Sequence, residues 1–289
     1  MVHTMAAKAT RRTGSSRHRA HRDSIPIGPP IAPAIISRVP LFQPTFKRLA
    51  DRGAVTQETP WGTVTVEGRL GEIHRKVLDA IFADHLQSQR LDTGACAFLT
   101  DPYRIEKTAN IAANPKWLLG IFEDMRKAKV ELWDKTTGLR HWAGILCEYH
   151  ESPRARADMP GGALTGDRPL YAVVVSAAWM RVFDSSLIMK YQRLLPAINQ
   201  IKDGATHAMV LHILTHQTSS FAVDEVLTHI GAFRATTSDR HRRRIRAAVV
   251  AESNRLAALG IHLYHHADTG RLMASYHPRP EIHFQNPPG

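Results

Sequence analysis

Arg240, Arg242, Arg243, Arg244 and Arg246 place five arginines within seven residues, the densest cationic run in this 289-residue chain. A guanidinium stays charged at any physiological pH. Its planar fork of donors suits both phosphate oxygens and the acceptor edge of guanine. Behind these residues runs an apolar stripe of Ile245, Val249, Leu256 and Leu259, whose spacing closes on a helical period. Stepping about 100° per residue from Ile245, Arg240 and Arg243 point away from the stripe, Arg244 and Arg246 flank it, and Arg242 sits at its edge. The spacing predicts one helix from about Ser238 to Leu259, stopped by Gly260. A charge run is usually a solvated face of mixed sign. Here Asp239 and Glu252 are the only acids between positions 239 and 259, so contact with a polyanion is the stronger reading, and a helix of this design fits a DNA groove.

Other chemistry is thin. No GxxxxGK[ST] stretch occurs, and Gly-Lys is absent as a dipeptide, which argues against a P-loop ATPase. Strand nicking by a tyrosine beside a metal-bound His-x-His pair finds its nearest candidate in His262-Leu263-Tyr264-His265-His266, which lacks that spacing. His212 and His216 lie four apart on an expected helix, as metal ligands can, but Ile213 stands where a zincin carries its general base. One buried and one exposed histidine is the simpler expectation. No catalytic residue, cofactor or metal is assigned, and the chain is expected not to be an enzyme.

The formal net charge of +12 is unevenly spread. Residues 1–60 hold ten Lys/Arg against three acids, residues 61–169 fifteen against fifteen, and residues 170–289 thirteen against eight. Such excesses attract nucleic acid or an anionic membrane surface. No apolar run is long enough to span a bilayer, and the basic N-terminus leads into Pro-rich sequence rather than a signal-peptide core. Two cysteines, Cys96 and Cys147, with no CxxC, suggest small buried residues in a reducing cytoplasm.

The elements that must position the arginines follow from periodicity. Residues 1–40 read as a disordered basic and Pro-rich arm, with Pro26, Pro29, Pro30, Pro33 and Pro40 keeping residues 25–40 extended. A first unit, residues 41–150, opens near Leu41-Phe42. Trp61–Arg69 alternates as a strand, hairpinned with the segment near Val55. Ile73, Val77, Leu78, Ile81, Phe82 and Leu86 mark a helix. A short helix starts at Asp101-Pro102, and another at Asn114-Pro115 carries Leu118, Ile121, Phe122 and Met125 inward. Val130–Trp133 and Trp142–Tyr149 flank a turn as a hairpin. Residues 151–169 read as a linker. In a second unit, residues 170–280, Leu170–Ser176 is a strand. Helices follow over Ala177–Phe183, Gly204–Gln217 and Phe221–Ile230, then the arginine helix. A last hairpin joins Ile261–His266 to Arg271–Tyr276 around Asp268-Thr269-Gly270, and residues 281–289 form a tail. The fold class expected is α+β: two tandem winged-helix (helix-turn-helix) domains behind a disordered arm.

Several segments, in this order, resemble the iteron-binding initiators of plasmid replication, and most closely those of IncQ-type plasmids. They are Leu41-Phe42 with Phe46-Lys47-Arg48-Leu49, Val64–Arg69 leading to Glu72, Ile145-Leu146-Cys147-Glu148-Tyr149, Tyr171-Ala172-Val173, and Ala178–Phe183. The most specific is Arg242–Arg246 followed by Leu256-Ala257-Ala258-Leu259-Gly260-Ile261. The resemblance spans roughly Leu41 to His277 and leaves the basic arm outside it. It implies winged-helix domains on repeated double-stranded origin sequences (iterons), opening of adjacent DNA, recruitment of a replicative helicase, monomer–dimer self-association and plasmid copy control in a bacterial cytoplasm.

The expected DNA-binding residues are therefore Arg240, Arg242, Arg243, Arg244 and Arg246, with Arg271 on the second wing. Lys116, Lys127 and Arg140 are the weaker candidates of the first unit, which is expected to be a dimerisation surface and secondary DNA contact. Arg240 and Arg243 are expected to read bases, and Arg244, Arg246 and Arg271 to hold phosphate; Arg242 could instead pair with Asp239 or Glu281. The rival reading is a winged-helix transcriptional regulator on a palindromic operator.

Overall fold

Ile31–Pro33 (β1) and Ala34–Arg38 (α1) begin the part of the chain that the structure, a computed structural model, describes: residues 31–46, 49, 53–112, 115–152 and 169–285. The basic arm through residue 30, Asn114 and most of the expected linker lie outside the described residues. The prolines of this region suggested an extended linker up to residue 40. Instead Ala32, Ala34, Ile35, Ile36 and Val39 are buried, so apolar burial overrides the extended preference. Pro33 sits at the end of an edge strand, where no ladder donor is needed.

The first half follows as β2 (Val55–Glu58), β3 (Gly62–Glu67), α2 (Glu72–Asp84), β4 (Gln87–Arg90) and β5 (Cys96–Thr100). Next come α3 (Pro102–Ala109), α4 (Pro115–Lys127), β6 (Lys129–Asp134), β7 (Arg140–Ala143) and β8 (Leu146–Ser152). Asp101 caps α3 by accepting from the Tyr103 N–H at 3.0 Å, as the Asp-Pro pair predicts. Two expectations are corrected here. Strands β4 and β5 stand between the first two helices. The hairpin's second strand ends at Ala143, because Leu146–Ser152 leaves it to pair with another strand.

That partner is β9 (Leu170–Val175), which pairs with both β8 and β5. The expected boundary at 151–169 thus runs between two strands of one sheet, and Leu170–Val175 completes the first half rather than opening the second. Among the described residues the paired strands are antiparallel, in four small sheets ordered β2-β3-β6-β7, β4-β5-β9-β8 and the two that follow. The chain continues through α5 (Ala177–Ser185), β10 (Ile188–Lys190), α6 (Leu195–Asn199), α7 (Gly204–Ile213), β11 (Ser219–Ala222) and α8 (Val223–His229). It ends with α9 (Asp239–Ala251), α10 (Ser253–Ala258), β12 (Ile261–His265), β13 (Leu272–Tyr276) and β14 (His283–Gln285). β10 lies between β1 and β14, so a sheet is made from the beginning, middle and end of the described chain. The expected tail therefore contains a paired strand. The last sheet runs β11-β13-β12. The coarse class, mixed α and β, holds.

One apolar core runs through both halves, from Ala32 to Ile282. A buried polar cluster lies within it. The Glu72 carboxyl on α2 meets His207 Nδ1 on α7 at 2.6 Å, and Lys76 Nζ donates to the Asn199 carbonyl at 2.7 Å. Arg75 binds Asp79, which also accepts from the Tyr191 hydroxyl at 2.7 Å. Burial pushes Glu72 up to about 8 and His207 well down, so both favour their neutral forms. A Cβ at Gly204 would lie 2.4 Å from Thr45 Cα, so only glycine lets α7 start against this segment. No helix among the described residues is long and apolar enough to cross a membrane.

Candidate nucleic-acid interface

The arginine helix rests on a small layered unit whose order is α7, β11, α8, α9, α10, β12, β13. Asp203 caps α7 by accepting from the Thr206 N–H at 2.8 Å, and Ser238 caps α9 by accepting from the His241 N–H at 3.4 Å. Ile245, Val249, Leu256 and Leu259 are all buried, as their spacing predicts. The expected single helix is broken, however. Glu252 leaves helical geometry, at φ −94° and ψ 7°, and turns its carboxylate inward. There it accepts from the Lys202 N–H at 3.2 Å and from Arg255 at 2.5 Å. One of the two acids of this stretch is therefore structural. Gly260 ends α10 at φ +82°, and a Cβ there would lie 2.3 Å from the His277 carbonyl oxygen.

The five arginines divide into two sets. Arg246 is bound by both oxygens of Asp224 on α8, at 2.7 and 2.5 Å. Arg242 donates to the carbonyls of Thr237 and Arg234, at 3.2 and 2.9 Å. It takes neither Asp239 nor Glu281, the partners that sequence left open. Both guanidiniums lie over the buried Phe233 ring, at 5.0 Å for Arg242 and 5.5 Å for Arg246. The pairing with Asp224 raises the Arg246 pKa. These two arginines fasten α9 to the turn before it.

Arg240, Arg243 and Arg244 are exposed on the same helix, and none meets a carboxylate among the described residues. Arg244 reaches only His241 Nδ1, at 3.2 Å. Arg271 is exposed at the turn of the β12–β13 hairpin. It lines, with Arg246, Asp224, Glu225, His229 and His265, a groove between α8 and that hairpin. The hairpin is braced on its outer side by a 2.6 Å hydrogen bond between Ser220 and the Tyr264 hydroxyl.

The remaining expected residues lie elsewhere. Lys116 and Lys127 are on α4, and Arg140 is on β7. Lys127 is 3.1 Å from Glu123, which also binds Arg126 and the Tyr149 hydroxyl. Those partners, Arg126 foremost, hold Glu123 down to about 2. Lys127 therefore offers less free charge than its sequence position suggests. Asp224 and Phe233 carry the local architecture and were missed by sequence reasoning. The signal available was a lone aromatic five residues before the Ser238 cap, whose ring could seat cations on the following helix. His212 is buried and His216 half-buried, His212 Nδ1 lying 3.1 Å from the Ser37 carbonyl. Among the described residues no group of three or more His, Cys, Asp or Glu could hold a metal ion.

No family model matches the chain, and no curated protein matches it. Among solved structures, the chain is similar to a crystal structure of domains 2 and 3 of RctB, at 12% identity and a TM-score of 0.51. The alignment covers 84% of this chain and 96% of that one. The likeness is one of fold, and it is to RctB rather than to an initiator of the IncQ-type plasmids.

Proposed function

We propose that this protein is a DNA-binding replication initiator that reads duplex DNA with α9. The observation that carries the reading is the division of the arginines. Two are spent on fastening the helix, while Arg240, Arg243 and Arg244 stand exposed with no carboxylate partner. A helix held rigidly on one side and presenting free guanidiniums on the other suits the major groove. The order of α7 to β13 supports a winged-helix arrangement in which α8 and α9 form the helix-turn-helix and β12–β13 the wing. The fold shared with domains 2 and 3 of RctB, a replication initiator, supports the initiator role.

In this reading Arg240 and Arg243 face bases, while Arg244 and Arg271 hold the backbone on either side. The first half, with Lys116, Lys127 and Arg140, supplies secondary contacts and self-association. Binding is to direct repeats at a plasmid origin, several copies together favouring opening of adjacent AT-rich DNA. A helicase, rather than this chain, then supplies the energy of unwinding. No reaction is assigned to the protein itself.

Footprinting on DNA flanking its own gene tests the proposal. Evenly spaced protection of tandem direct repeats is expected. Protection of a single palindrome over a promoter would instead make the protein a transcriptional regulator.

A further inference from the structure

The sheet β2-β3-β6-β7 buries one face through Val64, Val130 and Leu132 and turns the other outward. On β7 the alternation sends His141 inside and leaves Arg140 and Trp142 exposed. Trp142 is 74% exposed, more than any other large apolar side chain among the described residues. Its cross-strand partner on β6 is Glu131, and that of Arg140 is Trp133. Trp133 and Trp142 are therefore diagonal neighbours on one face, on the order of 7–8 Å apart. The Trp133 ring carries two cations, Arg140 at 5.4 Å and Lys135 at 5.7 Å from its centroid. Threonines 56, 63 and 65 face the same way, and the Thr56 and Thr65 hydroxyls meet at 2.9 Å.

The charges of this face sort themselves. Glu58 takes Lys135 at 2.7 Å, and Glu67 takes Lys129 at 3.1 Å. Glu131, half-buried opposite Trp142, is the remaining acid. Arg140 has no carboxylate partner among the described residues. An isolated exposed tryptophan is ordinary. A free indole next to an unpaired guanidinium, on an open antiparallel sheet, is not. That arrangement offers a stacking surface and a phosphate partner at neighbouring positions. Single-stranded nucleic acid uses both, whereas a duplex keeps its base faces stacked inside.

We infer that this outer face binds single-stranded nucleic acid, one base stacking on the Trp142 indole and an adjacent phosphate pairing with Arg140. Trp133 is a positioning residue: its ring holds the Arg140 guanidinium beside the platform. The site lies on a different sheet from α9, so it stands or falls apart from the duplex-reading helix.

The test is fluorescence anisotropy of the full chain with labelled oligo(dT) of about 20 nucleotides, long enough for one such face. Parallel titrations use a random duplex, and sedimentation reads the oligomeric state. Trp142→Ala is expected to weaken oligo(dT) binding ~5-fold or more, the low end of one lost stack. Trp142→Phe should keep most of the affinity, and Arg140→Ala should lose several-fold. Duplex binding should be unchanged in both Trp142 variants. Arg244→Ala, which removes a backbone contact of α9, should show the opposite pattern, so failure of the α9 reading is separately visible. Unchanged oligo(dT) affinity in Trp142→Ala overturns the inference. So does an equal loss on oligo(dT) and duplex. A change in oligomeric state with oligo(dT) binding intact would make the face a protein interface and overturn it as well.

Discussion

Asp224 grips Arg246 through both carboxylate oxygens, at 2.7 and 2.5 Å, and so ties α8 to α9 across the turn between them. With Arg242 and Arg246 both lying over Phe233, the N-terminal half of α9 is set in place before any ligand arrives. Preorganisation of this kind lowers the ordering cost of binding. Arg246→Ala should therefore lower stability, by about 1 kcal/mol or less, because the pair is part-exposed and screened. Urea unfolding measures this, and a variant as stable as the parent would mean the pair does not fasten the helix.

The exposed arginines should behave differently. Arg244→Ala and Arg271→Ala should leave stability unchanged, and each should flatten the slope of log affinity against log salt by about 1. Titration of a duplex site at several salt concentrations checks this. An unchanged slope would remove those residues from the backbone contacts.

Gly260→Ala should be strongly destabilising. The position needs a left-handed φ of +82°, and the added Cβ would meet the His277 carbonyl at 2.3 Å. The expected loss exceeds about 1 kcal/mol, since strain and steric overlap add. The midpoint of urea unfolding decides it, and an unmoved midpoint would show that α10 can end without glycine.

Stability should depend on pH in two opposed ways. His141, His207, His212, His216 and His229 are all lowered by burial from 6.5, His212 to about 3. The unfolded chain then binds more protons below pH 6.5, so stability present above that pH is lost as it falls. Glu72 is raised by burial from 4.5 to about 8. Its unfolded form releases a proton that the folded form keeps, so stability falls as pH rises from 4.5 to about 8. With five histidines against the two buried carboxyls that are raised, Glu72 and Asp79, melting temperature should peak near pH 6.5 and decline on either side. Glu72→Gln should abolish the decline between pH 6.5 and 8. A decline that persists in that variant would assign it to another group.

Local signals in the sequence carried much of the fold. The apolar stripe of α9, the Asp101-Pro102 start of α3, the stop at Gly260 and the β12–β13 hairpin each depend on residues a few positions apart. What escaped was long-range. β9 completes a sheet begun more than seventy residues earlier, and its apolar run looks the same in either half. The prolines around Ile31–Val39 read as a linker because the burial that fixes this segment comes from distant strands. The same holds for the interface. Helical geometry placed Arg240 and Arg243 outward, but the capture of Arg246 by Asp224, twenty-two residues away, has no local signature. The kink at Glu252 likewise follows from Lys202, on a different element.

The most direct test of α9 as the reader of duplex DNA is equilibrium binding of the protein and its Arg243→Ala variant to a footprinted repeat and to a scrambled duplex, at one salt concentration. Arg243 should lose about 1–3 kcal/mol on the repeat and little on the scrambled duplex. An equal loss on both, or none on either, would contradict the account.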